Sequence, residues 1–181
     1  MEGNVMRRKV RGFTLVELLL VLTIVVVCAT VALPAMGGLL ERQRAGAAMG
    51  ALATQMQLAR MAAITYRQAV ILCPSRSGIA CDAAEDWSGG WMVFLDRDGN
   101  RQPDSAGDIL RVESAPTSRT LQLLGTTGRT QLRYLPDGRS TGTNLTISVC
   151  TGDGALLGAV IVNNAGRPRT FRPAAPAACP G

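Results

Sequence analysis

From Leu18 to Met36 the chain runs nineteen residues without a charge, close to the roughly 20 apolar residues a helix needs to cross the hydrocarbon core of a bilayer. No comparable run recurs, so the overall apolar content of 47% reflects one span and not several. Arg7, Arg8, Lys9 and Arg11 precede the run. The bias that keeps basic flanks in the cytoplasm predicts an N-in, C-out topology. Of the 181 residues, those beyond the span suffice for one ordinary globular domain.

A secretory signal also begins with a basic start and an apolar run, but its apolar part is shorter and ends at a small-residue cleavage site. Here Glu17 lies inside the apolar stretch, where an unpartnered carboxylate costs roughly 2.5–3.5 kcal/mol on insertion scales. The block Gly12-Phe13-Thr14-Leu15-Val16-Glu17 closely resembles the prepilin processing motif of type IV pilins and type II secretion pseudopilins. That resemblance implies cleavage by a membrane prepilin peptidase after Gly12 and N-methylation of Phe13. The ammonium at Phe13 of a neighbouring subunit would then pair with Glu17 as helices pack. The implied organisation is a cleaved cytoplasmic leader (1–12), a transmembrane and assembly helix (13–40) and a periplasmic head with a basic tail (41–181). Such a chain would sit in the inner membrane as a single-pass protein and contact other pilins through its N-terminal helix. Pro34, with Gly37-Gly38 soon after, predicts a kink or a locally melted turn.

Beyond the break, Ala45, Met49, Leu52, Met56, Ala59 and Ala63 recur at steps of four and three, the pattern of an amphipathic helix continuing to about Tyr66. Its small residues and methionines read as a core face under a sheet. After Tyr66 the period changes. Short runs at 69–72, 91–95, 109–112, 121–124, 132–135, 145–149 and 159–162 are bounded by turn residues and read as antiparallel strands. Pro136-Asp137-Gly138 and Asn163-Asn164-Ala165-Gly166 supply turn chemistry. A long helix with strands after it gives an α+β class. Export permits disulfides, and Cys73, Cys81, Cys150 and Cys179 allow three pairings. Cys73 with Cys81, across a short loop holding Pro74 and Gly78, and Cys150 with Cys179, tying the tail to a strand, are favoured. Cys28, in the span, reads as a small apolar residue.

Histidine is absent, which removes the commonest general base and the commonest metal ligand. There is also no credible carboxylate pair and no Gly-rich phosphate loop on a strand-to-helix turn. Neither an enzyme nor a cofactor is therefore expected. Asp96-Arg97-Asp98-Gly99-Asn100 with Asp104 has oxygen ligands at alternating spacing, but Gly stands fourth instead of sixth and no bidentate Glu comes after it. It reads as a turn and not as a calcium loop, so no metal site is assigned.

A second resemblance covers most of the chain. Ala59-Arg60, Ala62-Ala63-Ile64, Val70-Ile71-Leu72-Cys73, Cys81, Trp87, Gly89-Gly90-Trp91-Met92-Val93-Phe94 and Asp96 look like the GspH/FimT family of minor pilins and pseudopilins. This implies a long N-terminal helix packed on a head of two β-sheets, the type IV pilin-like fold. FimT-like minor pilins resemble the tail best, because Gly166-Arg167-Pro168-Arg169 fits a Gly-Arg-x-Arg pattern associated with DNA binding during uptake in natural transformation. The residues agree independently. Arg167, Arg169 and Arg172 lie within six positions with no acid after Asp153, on a tail loop whose guanidiniums suit phosphate oxygens. Double-stranded DNA bound without sequence preference is the expected partner, with Kd around 10⁻⁴–10⁻⁶ M and a log–log salt slope of roughly −2 to −3. Arg129, Arg133 and Arg139 extend the patch if their segments lie beside the tail. The competing reading is structural: a minor pseudopilin of a type II secretion system, or a minor pilin that only primes fibre assembly. Trp87 and Trp91 read as head core.

Overall fold

The structure, a computed structural model, describes residues 14–114, 120–142 and 144–180, the side chains of 31–36 excepted. Helix α1 spans Leu15–Tyr66. Thr14 opens it, its hydroxyl accepting a hydrogen bond from the Glu17 amide at 3.2 Å, an N-cap that satisfies one of the free donors of the first turn. Glu17 thus stands where the helix dipole favours a negative charge.

The helix continues through position 34, so the locally melted turn expected there does not form. A proline removes one hydrogen bond at about 3 kcal/mol, and each glycine costs about 1 kcal/mol relative to alanine. With strong helix formers on both sides, no competing turn is offered. At the far end Arg67 takes a positive φ of 51° and the Gln68 amide reaches back to the Ala63 carbonyl at 3.3 Å. This closure satisfies a free carbonyl of the last turn.

The chain divides into two compact units, Met1–Leu40 and Glu41–Gly181. In the first, the described apolar side chains between Leu15 and Val27 stand exposed, as does Cys28. Among the described residues no helix is long and apolar enough to cross a membrane; the side chains of residues 31–36 of the expected span lie outside that description.

Among its described residues the second unit holds the distal part of α1 and eight strands: β1 (Ala69–Pro74), β2 (Gly90–Asp96), β3 (Ile109–Ser114), β4 (Leu121–Gly125), β5 (Leu132–Tyr134), β6 (Leu145–Thr151), β7 (Leu156–Val162) and β8 (Pro168–Phe171). They form two four-stranded sheets, ordered β3-β2-β1-β5 and β4-β6-β7-β8, with every described pairing antiparallel. The helical stripe read from the sequence is the core face: Ala45, Met49, Leu52, Met56, Ala59 and Ala63 are each at most 2% exposed. They join Trp87, Trp91, Leu123, Ile147 and Val160 in one apolar cluster drawn from α1 and both sheets. The helix approaches β7 closely at Gly158, where a Cβ would lie 2.6 Å from the Met49 sulfur. Along β2 every residue is buried, because a smaller cluster of Ile71, Cys73, Met92 and Phe94 packs on the opposite face of that sheet.

Disulfides join Cys73 to Cys81 and Cys150 to Cys179, across 8 and 29 positions. The longer one fastens the segment after β8, which also bridges Ala155 to Ala178 and receives the Leu156 amide at the Ala177 carbonyl, 2.9 Å away. Cys150→Ser/Cys179→Ser is expected to cost about 3–4 kcal/mol by chain-entropy reasoning. Urea unfolding of residues 41–181 measures it, and a loss under about 1 kcal/mol would mean that the unfolded chain gains little freedom when the bridge is removed.

Candidate nucleic-acid interface

The expected tail loop is in part a strand. β8 pairs with β7 in the register Val162↔Pro168, Ile161↔Arg169, Val160↔Thr170 and Ala159↔Phe171. Sequence reading passed over it because Pro168 and Arg169 lack the usual strand signature. An edge position tolerates both, since proline can open an edge strand and charges suit an unpaired edge.

Strand geometry then sorts the tail. Val160 and Val162 belong to the core, so Thr170 and Pro168 opposite them lie on the core side of the sheet. Arg169 lies on the other face beside Ile161, and Arg167 comes immediately before the strand, directly after Gly166. Phe171, 47% exposed, is on the same side as Arg169. Arg167 and Arg169 are exposed, and among the described residues neither has an ion-pair partner. Arg172 is turned elsewhere: its Nη2 lies 2.9 Å from where a Cβ of Gly46 on α1 would stand. The expected triplet is therefore a pair.

Gly166 has a structural task. It closes the Asn163–Gly166 turn by donating to the Asn163 carbonyl at 2.8 Å, with φ of 72°. A Cβ there would lie 2.2 Å from the Gly138 carbonyl oxygen and 3.1 Å from the Tyr134 ring. Two turns thus lock together. Ser140 donates its hydroxyl to the Asn163 carbonyl at 2.8 Å and its amide to that of Asn164. The Arg60 side chain donates to the Gly138 carbonyl at 2.8 Å. Beneath them burial pushes the Tyr134 phenol well above its ordinary pKa, outweighing the nearby Arg60 charge.

The three extension candidates fare differently. Arg139 comes directly after Gly138 and so adjoins the Gly166 turn, but its side chain pairs with Asp137 at 2.6 Å. The Arg139 amide, and then its guanidinium, hold the Asp137 carboxyl below the usual carboxylate range. Arg129 donates to the Thr141 carbonyl at 3.0 Å and lies against Gly142. Arg133, on β5, reaches Asp96 at 3.4 Å, whose side chain is fully buried. Both are structural arginines. Sequence spacing could not show this, because Asp96 and Arg133 meet only through β1, which pairs Ala69 with Asp96 and Ile71 with Arg133.

In the acidic loop, the Asn100 side-chain amide donates to Asp98 at 2.8 Å and to Asp104 at 2.9 Å, and Arg97 pairs with Asp108 at 2.6 Å. Among the described residues no cluster of acids and cysteines could hold a metal ion. Gly12 and Phe13 lie outside the described residues.

The family described as type II transport protein GspH matches residues 48–166, more than half of the chain. The chain belongs to the GspH family. A prokaryotic N-terminal methylation motif matches residues 7–33. No curated protein matches the chain. Among solved structures it is similar to the type IV minor pilin FimU of Pseudomonas aeruginosa, at 22% identity and TM-score 0.56 over 74% of this chain and 91% of that one. A second crystal form of FimU gives 20% and 0.55. The minor pseudopilin EpsH of the Vibrio cholerae type 2 secretion system gives 16% and 0.51, over 73% and 99%. These likenesses establish a pilin-like α+β fold. The match of this GspH-family chain ends at Gly166, one residue before the arginine pair.

Proposed function

We propose that this chain is a minor pilin, anchored by its N-terminal helix, that tethers double-stranded DNA through Arg167 and Arg169 during uptake. The observation that supports it is the placement of two exposed guanidiniums without ion-pair partners among the described residues, Arg169 on the outer face of an edge strand and Arg167 just before that strand, between a locked turn and a disulfide-fastened segment. Arginines with no carboxylate of their own are free to grip phosphate oxygens bidentately. Two neutralised phosphates give a salt slope of about −2 and weak, sequence-independent binding. Phe171 beside Arg169 favours a second reading, contact with single strands by stacking.

The same proposal includes cleavage after Gly12 by a prepilin peptidase, methylation of Phe13, pairing of that new terminus with Glu17 of a neighbouring pilin, and a periplasmic head on the inner membrane. The methylation-motif match over residues 7–33 supports this part.

Residues 41–181, which contain the whole described core, would be titrated into labelled duplex and single-stranded DNA at low and moderate salt, beside Arg167→Ala/Arg169→Ala and Phe171→Ala. Salt-sensitive duplex binding that the double change reduces tenfold or more supports the tether. Equal binding by both proteins, or none at low salt, rejects it in favour of an assembly subunit. Loss in Phe171→Ala confined to single strands supports stacking.

A further inference from the structure

A second basic site lies away from the Arg167–Arg169 pair. Arg42 on α1 and Arg172 after β8 line one cleft of about 450 Å³, whose walls include Leu156, Leu157, Pro173 and Pro176. Arg172 reaches this cleft by lying over Gly46, one helical turn from Arg42 and on the same side of α1. A side chain at position 46 would meet that guanidinium, so glycine leaves the room it needs. Both arginines are exposed, and among the described residues neither has an ion-pair partner. Two cations converging on one cleft repel each other. An anion bound between them relieves that repulsion and takes charge-assisted hydrogen bonds from both.

We propose that this cleft binds the phosphate of an anionic phospholipid headgroup. The cations match the phosphate, and the leucine and proline walls match the glycerol and upper acyl carbons. The location fits as well: Arg42 lies six residues beyond the Leu18–Met36 stretch, at most ~21 Å even if fully extended and about 9 Å as helix. A chain anchored by that stretch therefore delivers Arg42 to the headgroup layer. This last step rests on the membrane placement proposed above; the two arginines, the glycine and the apolar walls do not.

The test uses the full chain in zwitterionic detergent micelles, with nitrogen-labelled arginine side chains followed by NMR. Dihexanoyl phosphatidylglycerol, dihexanoyl phosphatidylcholine and inorganic phosphate are titrated separately. The expected result is a saturable shift of the Arg42 and Arg172 Nε–H signals with the glycerol lipid and at least tenfold weaker responses to the other two. Arg42→Gln, Arg172→Gln and Gly46→Leu should each weaken lipid binding about tenfold or more while leaving the fold and DNA binding unchanged. Equal responses to both lipids, or lipid binding indifferent to Arg42→Gln, would overturn the proposal. So would inorganic phosphate binding as tightly as the lipid, or duplex DNA displacing it. Failure of the Arg167 and Arg169 variants to affect DNA leaves this titration untouched. A chain extracted from membranes by high salt would defeat the anchoring step, while the micelle titration still reports on the cleft.

Discussion

Arg133→Ala is expected to destabilise the head by about 3 kcal/mol and to leave DNA binding as it was. The Asp96 side chain is fully buried, and Arg133, itself 29% exposed, is its ion-pair partner at 3.4 Å. The Arg101 amide donates to the other oxygen at 3.0 Å. Removing the guanidinium leaves a buried carboxylate with that single donor, the costly way to break such a pair. The partial exposure of Arg133 and the longer contact place the cost at the lower end of the range for buried pairs. Urea unfolding of residues 41–181 gives the stability, and the duplex titration gives the binding. Unchanged stability with weakened DNA binding would return Arg133 to the nucleic-acid interface and remove the structural role assigned to it.

Gly166→Val should cost at least about 3 kcal/mol, from two sources that add. A β-branched residue at φ of 72° occupies the left-handed region at about 1–3 kcal/mol. Its Cβ would also lie 2.2 Å from the Gly138 carbonyl oxygen, a backbone atom in a turn held by Arg60 and so unable to move aside cheaply. The midpoint of thermal unfolding should fall by several degrees per kcal/mol. DNA binding should weaken only in proportion to the fraction unfolded, because glycine offers no side chain to a phosphate. A variant as stable as the parent that no longer binds DNA would make Gly166 an interface residue instead of a turn residue.

These two positions show where sequence reading reaches its limit. Arg133 and Arg167 are alike as residues in a basic C-terminal half. What separates them is pairing: one is placed opposite a buried aspartate across the intervening strand, and the other comes after a turn that carries it to an open edge. Gly166 belongs to a Gly-Arg-x-Arg pattern, yet its neighbours in space are Gly138 and Tyr134, 28 and 32 positions away. Arg172 is three residues from Arg169, and the end of β8 sends it to α1 instead.

Local chemistry alone determined the helix face, the seven strands from β1 to β7 and the α+β class. Steps of three and four along a helix, alternating runs and turn residues each depend on atoms only a few positions apart. The motif before the apolar run likewise needed no fold to be read. Tertiary structure decided the division of the strands into two sheets, β8, and which arginines remain free. Each of these depends on pairing between segments distant in sequence. Residue spacing does not encode that pairing, because hydrogen-bond partners, buried counter-charges and close backbone approaches are settled only when those segments pack.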